Sequence, residues 1–298
     1  MTRAGTALAA ALAVVALAAG CTSEAEPEPP IPTDDRPFGP APDYEDHSTS
    51  LMTAASDKDI ETLCADLETA LGEAGLDSVS SEAGDQWCGH LVDGADSARG
   101  DERSASGEGA AEPVRVHAWS DGDTTHAAYF DPAPLLVAVD SEDESLAEHG
   151  TALSAAVAEA VTEATGTEPE EGPSATATYT EINSEVPAEE LAESLAQAAE
   201  PEGLRVLDEL PYEEGTATLL LAYEGEGPTF EDRLAEAPEA GMFNPVPLHV
   251  WADDSGNGVI SYFDPMPLSI VFGEGLGDVG TEMSTALSET AWAAALPQ

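Results

Sequence analysis

Four blocks of sequence occur twice in this chain, in the same order, and the repetition limits the fold more than any other feature. Pro113-Val-Arg-Val-His-Ala-Trp119 lines up with Pro245-Val-Pro-Leu-His-Val-Trp251, and Tyr129-Phe-Asp-Pro-Ala-Pro-Leu135 with Tyr262-Phe-Asp-Pro-Met-Pro-Leu268. Upstream, Leu63, Cys64, Leu67 and Gly75-Leu76 align with Leu191, Ala192, Leu195 and Gly203-Leu204. Downstream, Gly150-Thr-Ala-Leu-Ser154 aligns with Gly280-Thr-Glu-Met-Ser284. A period of about 130 residues is domain-sized, whereas solenoid units are short and need three or more copies. Two copies of one domain are therefore expected, over 51–164 and 176–298, joined by a polar Pro/Gly linker at 165–175.

Each copy reads as strand, helix, several strands, helix. Ile60, Leu63, Cys64, Leu67 and Leu71 fall at helical spacing behind a Ser56-x-x-Asp59 capping signal. In copy two, Pro187 stands at an expected first helical position, with Leu191 and Leu195 carrying the stripe. Val246, Leu248 and Val250 alternate with Pro247, His249 and Trp251, a strand with one core face. Asp253-Asp-Ser-Gly-Asn-Gly258 is turn chemistry before a returning strand at 259–263, and Thr176 to Ile182 alternates as a strand opening copy two. Leu268 to Phe272 is a further apolar run before a terminal helix, and Asp93 to Glu112 is expected to be a mobile loop. The fold class is α+β: two tandem β-α-β-β-β-β-α domains, each a mainly antiparallel sheet with two helices on one face.

Phe243-Asn-Pro-Val-Pro-Leu-His-Val-Trp-Ala-Asp-Asp, followed by Ser261-Tyr-Phe-Asp-Pro265, resembles the domain-of-unknown-function family numbered 302. The resemblance covers about residues 52–163 and 176–296 and is stronger in copy two. It implies a fold similar to that of the TATA-box-binding protein, and it implies no activity.

The first twenty residues address the protein. Arg3, the apolar run from Ala7 to Leu17 and Ala18-Ala19-Gly20-Cys21 resemble a bacterial lipoprotein signal, although Ala stands at position 18 where Leu is commonest. The run is too short to span a bilayer, which takes about 20 apolar residues. The resemblance implies cleavage after 20, a diacylglycerol thioether on Cys21 and acylation of the new amino terminus; several acyl chains anchor stably. Residues 21–50, with seven prolines among Glu and Asp, suit an extended tether with no core of its own. The expected location is the cell membrane, lipid-anchored on its extracytoplasmic side.

Charge narrows the partners. Sixty Asp and Glu against eight Lys and Arg give a formal net charge of −52, which excludes a broad basic surface for nucleic acid or a polybasic membrane patch. The acidic excess runs through tether, domains and linker, so a halophilic habit is expected.

Several candidate sites follow. Outside the cytoplasm, Cys64 and Cys88 are expected to form a disulfide stapling helix to sheet, worth about 3–4 kcal/mol in the entropic account; the rival is a soft metal site with His90. Asp253, Ser255, Asn257 and Asp264 match calcium-loop spacing, but the proline-studded strand flanks favour a plain hairpin turn. Gly275, Gly277 and Gly280 match a dinucleotide fingerprint, yet too little chain follows for a second parallel strand, and these glycines are expected to shape the loop before the last helix. His117, Trp119, His249 and Trp251 alternate away from the core face, with Asp131, Tyr262 and Asp264 at neighbouring strand ends. That face either binds a ligand, metal or partner, or packs one repeat against the other with Trp on Trp; repeated aromatic strand faces more often pack. No G-x-S-x-G, H-E-x-x-H or S-x-x-K motif is present, so a binding or scaffolding module for a small molecule or envelope protein is expected rather than an enzyme, with calcium or transition-metal binding as the alternative and no other cofactor.

Overall fold

The computed structural model describes residues 47–94, 107–122, 124–211, 216–225, 229–253 and 255–296. The signal segment, Cys21 and the tether as far as residue 46 lie outside the described residues, as do 95–106 of the expected loop. The described residues form one compact unit.

The first repeat runs β1 (His47–Ser56), α1 (Ile60–Glu73), β2 (Leu76–Ala83), β3 (Trp87–Gly94), a 3₁₀ turn (Gly107–Ala110), β4 (Val114–Ser120), β5 (Thr125–Phe130), α2 (Pro132–Val139) and α3 (Glu144–Thr165). After β6 (Glu170–Ala177) the second runs β7 (Tyr179–Pro187), α4 (Ala188–Ala199), β8 (Leu204–Pro211), β9 (Ala217–Tyr223), α5 (Phe230–Glu236), a 3₁₀ turn (Pro238–Met242), β10 (Val246–Ala252), β11 (Asn257–Phe263), α6 (Pro265–Ser269) and α7 (Glu274–Ala295). The fold is α+β with two antiparallel sheets, ordered β2-β3-β4-β5-β1-β6 and β8-β9-β10-β11-β7.

Helix stripes and strand parity explain the layers. Leu63, Leu67 and Leu71 of α1 and Leu153, Val157 and Val161 of α3 bury against Val92, Val114, Val116 and Ala118 of the first sheet. Leu191 and Leu195 of α4 and Met283, Leu287 and Ala291 of α7 do the same against Leu219, Leu221, Leu248 and Val250. The other faces of the two sheets meet each other: Leu91 of β3 clusters with Leu210 and Leu220 of the second sheet. A strand covered on both faces must be apolar throughout, which is why β9 reads Ala-Thr-Leu-Leu-Leu-Ala-Tyr and is buried at every position. The edge strand β2, Leu-Asp-Ser-Val-Ser-Ser-Glu-Ala, is exposed over most of its length, and its polar residues suit an unpaired edge.

Four local expectations change. The segments assigned to tether and linker supply strands: β1 begins at His47, and β6 pairs with it from His47↔Ala177 to Thr53↔Glu170, because β1 would otherwise leave an open edge. The alternating run at 176–182 is split, its first residues joining sheet one and the rest sheet two. Asp59, not Ser56, caps α1 by accepting from the Thr62 amide, and Pro187 is the residue before α4 rather than its first. The glycines at 275, 277 and 280 lie inside α7; a Cβ on Gly280 would stand 1.9 Å from Ser269 Oγ, and one on Gly150 would stand 2.9 Å from Ala133 Cα, so this matched pair is where the long helix crosses the short one.

Asp131-Pro132 and Asp264-Pro265 end their strands as the sequence suggests, each aspartate capping a short helix by accepting from Ala133 or Met266. Among the described residues no helix is long and apolar enough to cross a membrane.

Candidate ligand cavity between the repeats

Parity along β4 sends Val114, Val116 and Ala118 toward the helices and Arg115, His117 and Trp119 toward the other repeat. There the 3₁₀ turn of each repeat meets the histidine strand of its neighbour. A Cβ on Gly241 would lie 2.2 Å from His117 Cε1, and one on Gly109 would lie 2.2 Å from His249 Nδ1. Both histidines are buried. Arg115 reaches across the same junction, donating to the carbonyl oxygens of Gly241 at 2.7 Å and Pro245 at 2.5 Å.

His117 donates from Nε2 to the Pro238 carbonyl at 2.6 Å. Desolvation lowers its pKa to about 3, against the opposing pull of that carbonyl, so the ring is neutral near pH 7. With the proton fixed on Nε2, Nδ1 is an acceptor, and no described residue donates to it. Trp87 stacks with the ring at 5.8 Å and Trp119 at 5.9 Å, and Phe230 meets Trp87 edge-on at 6.4 Å.

The two repeats differ at this point. In the antiparallel pairings Gly89 stands opposite His117 and Thr218 opposite His249, so Gly89 and Thr218 are equivalent. Thr218 Oγ1 hydrogen-bonds His249 Nδ1 at 2.9 Å. Gly89 carries nothing there; a Cβ on it would stand 3.3 Å from His117 Nδ1. Two residues before each histidine, Arg115 corresponds to Pro247. The space left in the first repeat is a cavity of about 140 Å³, walled by Trp87, Gly89, Arg115, His117 and Phe230 with Glu82 and Asp208 among its lining residues.

Its electrostatics are uneven. Arg115 forms no ion pair among the described residues, although the chain carries sixty carboxylates, and its hydrogen bonds go to neutral carbonyls. Desolvation lowers its guanidinium to about 10, with Glu82 pulling the other way, so it stays cationic at neutral pH. Glu82 and Asp208 are exposed. Desolvation raises the Glu82 carboxyl above its ordinary value despite Arg115 nearby.

The remaining candidates are dispersed. Trp119 stacks between His117 and His126, and no ring pair joins it to Trp251 among the described residues, so the expected Trp-on-Trp contact is absent. Tyr262 belongs to the helix-side core, not the His/Trp face, because His249 pairs with Ser261. Asp131 and Asp264 are helix caps. The Asp253 carboxylate accepts from the amides of Ser255 and Asn257 and from the Asn257 side chain. Asp264 lies at the far end of β11, about 20 Å along the strand, so the calcium-loop residues are not brought together. Cys64 and Cys88 are at disulfide distance, with Sγ atoms 2.10 Å apart. His90 follows Cys88 on the helix side of β3 by parity, and no group of three metal-ligating side chains occurs among the described residues. Arg115 and Gly89 are not among the sequence candidates; the departure of Arg115 from Pro247 inside a matched block was an available signal, whereas Gly89 and Thr218 lie outside the matched blocks and only the strand pairings equate them.

No family model matches the chain. No curated protein matches it. Among solved structures, it is similar to an uncharacterized conserved protein of the DUF302 group from Bacillus stearothermophilus at 17% identity, over 39% of this chain and 96% of that one, with a TM-score of 0.32. It is also similar to the di-domain ARO/CYC BexL from the BE-7585A biosynthetic pathway, at 13% identity, over 84% of this chain and 99% of that one, with a TM-score of 0.22.

Proposed function

We propose that this chain is a lipid-tethered extracytoplasmic binding protein whose paired repeats enclose one site for a small organic ligand. The observation that carries the reading is the asymmetry at one matched position: Thr218 hydrogen-bonds His249 Nδ1 where Gly89 leaves His117 Nδ1 open to the cavity, beside an arginine whose hydrogen bonds among the described residues go to neutral carbonyls. A ligand that donates to His117 Nδ1 and accepts from the remaining guanidinium N–H groups of Arg115 gains charge-assisted hydrogen bonds there. The lipid anchor rests on Arg3, the apolar run to Leu17 and Cys21, and the tether on the proline-rich segment that follows.

The test is a thermal-shift screen of a small-metabolite library against the wild type and Gly89→Thr. Compounds that raise the melting temperature of the wild type and not of the variant support the reading. A library in which nothing stabilises the wild type contradicts it.

A further inference from the structure

The cavity also constrains the class of its ligand. Its volume of about 140 Å³ compares with the roughly 150 Å³ engineered cavity that holds benzene, so about five to eight non-hydrogen atoms fit. Three chemical demands act within that small space. Arg115 presents a guanidinium whose hydrogen bonds among the described residues go to the Gly241 and Pro245 carbonyls, with Glu82 acting on its charge without a hydrogen bond, so N–H donors remain for an anion. His117 Nδ1 requires a donor, at the place where Thr218 puts a hydroxyl in the other repeat. Glu82 and Asp208, also lining the cavity and both exposed, attract a cation and repel an anion.

Simple ligands meet only part of this. An anion pairs with Arg115 but must pass the two carboxylates in the field of a chain carrying −52 formal charges. A cation suits the carboxylates and is repelled by Arg115. A neutral apolar molecule leaves both Arg115 and Nδ1 unmatched. A molecule with its carboxylate and its N–H donors a few ångströms apart, and no net charge, meets all three.

We infer that the cavity binds a free amino acid or similarly compact zwitterion, with its carboxylate on Arg115 and its ammonium between His117 Nδ1 and the carboxylates of Glu82 and Asp208. This rests on the binding reading above and narrows it. The aromatic faces of Trp87 and Phe230 close the sides of the site and favour a nearby ammonium as well as apolar carbon.

The experiment is calorimetric titration at pH 7 and fixed salt with four probes of similar size: L-alanine, L-lactate, propionate and ethylamine. L-Alanine is expected to bind most tightly, and Gly89→Thr to abolish its heat. Because Arg115 also holds the Pro245 turn, its replacement risks the fold; the exposed pair Glu82→Gln and Asp208→Asn is the safer probe. That double variant is expected to weaken L-alanine about tenfold and leave propionate unchanged or tighter. Tighter binding of lactate, propionate or ethylamine than of alanine overturns the zwitterion while leaving a small-ligand site intact. If all four fail while library compounds still bind in a Gly89→Thr-sensitive way, the zwitterion alone falls. If neither probes nor library bind, both readings fall.

Discussion

Gly241 lies against the ring of His117, so closely that a Cβ would stand 2.2 Å from Cε1. The contact joins the repeats, since the turn belongs to the second and the histidine to the first, and Gly109 repeats it on His249 in the opposite direction. The ring is held by stacking with Trp87 and Trp119 and by its hydrogen bond to Pro238. Gly241→Ala is therefore expected to cost about 1–3 kcal/mol by overpacking, measured as a lower urea midpoint with an unchanged slope. A midpoint equal to wild type would mean the turns are not wedged in this way.

The disulfide-distance pair joins α1 to β3 across a sequence separation of 24. Cys64→Ser with Cys88→Ser is expected to remove about 3 kcal/mol of stability. Thiol titration of the non-reduced protein should find neither cysteine free; two reactive thiols would contradict the bond.

Acid sensitivity follows from His117. Its folded pKa is depressed to about 3 from 6.5, so the unfolded state binds one proton more between those values. Stability contributed by the neutral ring is complete above 6.5 and is lost as pH falls toward 3, at about 1.4 kcal/mol per pH unit. Near pH 5, His117→Phe is expected to take up about one proton fewer on unfolding than wild type, read from the slope of stability against pH. An unchanged slope would place a charged imidazole in the junction.

Asp264 caps α6 by accepting from Met266 at 2.9 Å. Asp264→Ala should cost about 1 kcal/mol, seen in denaturant melts, as expected for a lost N-cap. A calcium-dependent loss instead would return this residue to a metal site.

Net charge sets the response to salt. With −52 formal charges, self-repulsion is strongest when unscreened, and the melting temperature is expected to rise as monovalent salt increases from low levels. A flat or falling curve in differential scanning calorimetry would show that the acidic surface is locally compensated.

Much of this architecture was legible in the chain because its two copies check each other. The matched Pro-x-x-x-His-x-Trp strands located β4 and β10, the Asp-Pro steps located the ends of β5 and β11 but not the short helices that follow them, and parity alone put His117 and His249 opposite the helices. Parity also corrects the reading of Tyr262, which lies one residue from the Ser261 that faces the other repeat. The strand β6 was not legible, since its Glu-Glu-Gly-Pro start has the composition of a linker and only the open edge of β1 recruits it. The calcium spacing misled because it counts residues along the chain, whereas an extended β11 carries Asp264 away from Asp253. Arg115 and Gly89 were hidden for the opposite reason: attention to what the copies share passes over the positions where they differ, and the cavity is made of those.

The most direct test of the account is therefore at Gly89. Titration of wild type and Gly89→Thr with the compound that most stabilises the wild type should give saturable 1:1 heat for the first and none for the second, with the variant shown to be folded by its denaturant melt and its added side chain standing against His117 Nδ1. Equal heats in the two proteins would place the ligand elsewhere and contradict the cavity between the repeats.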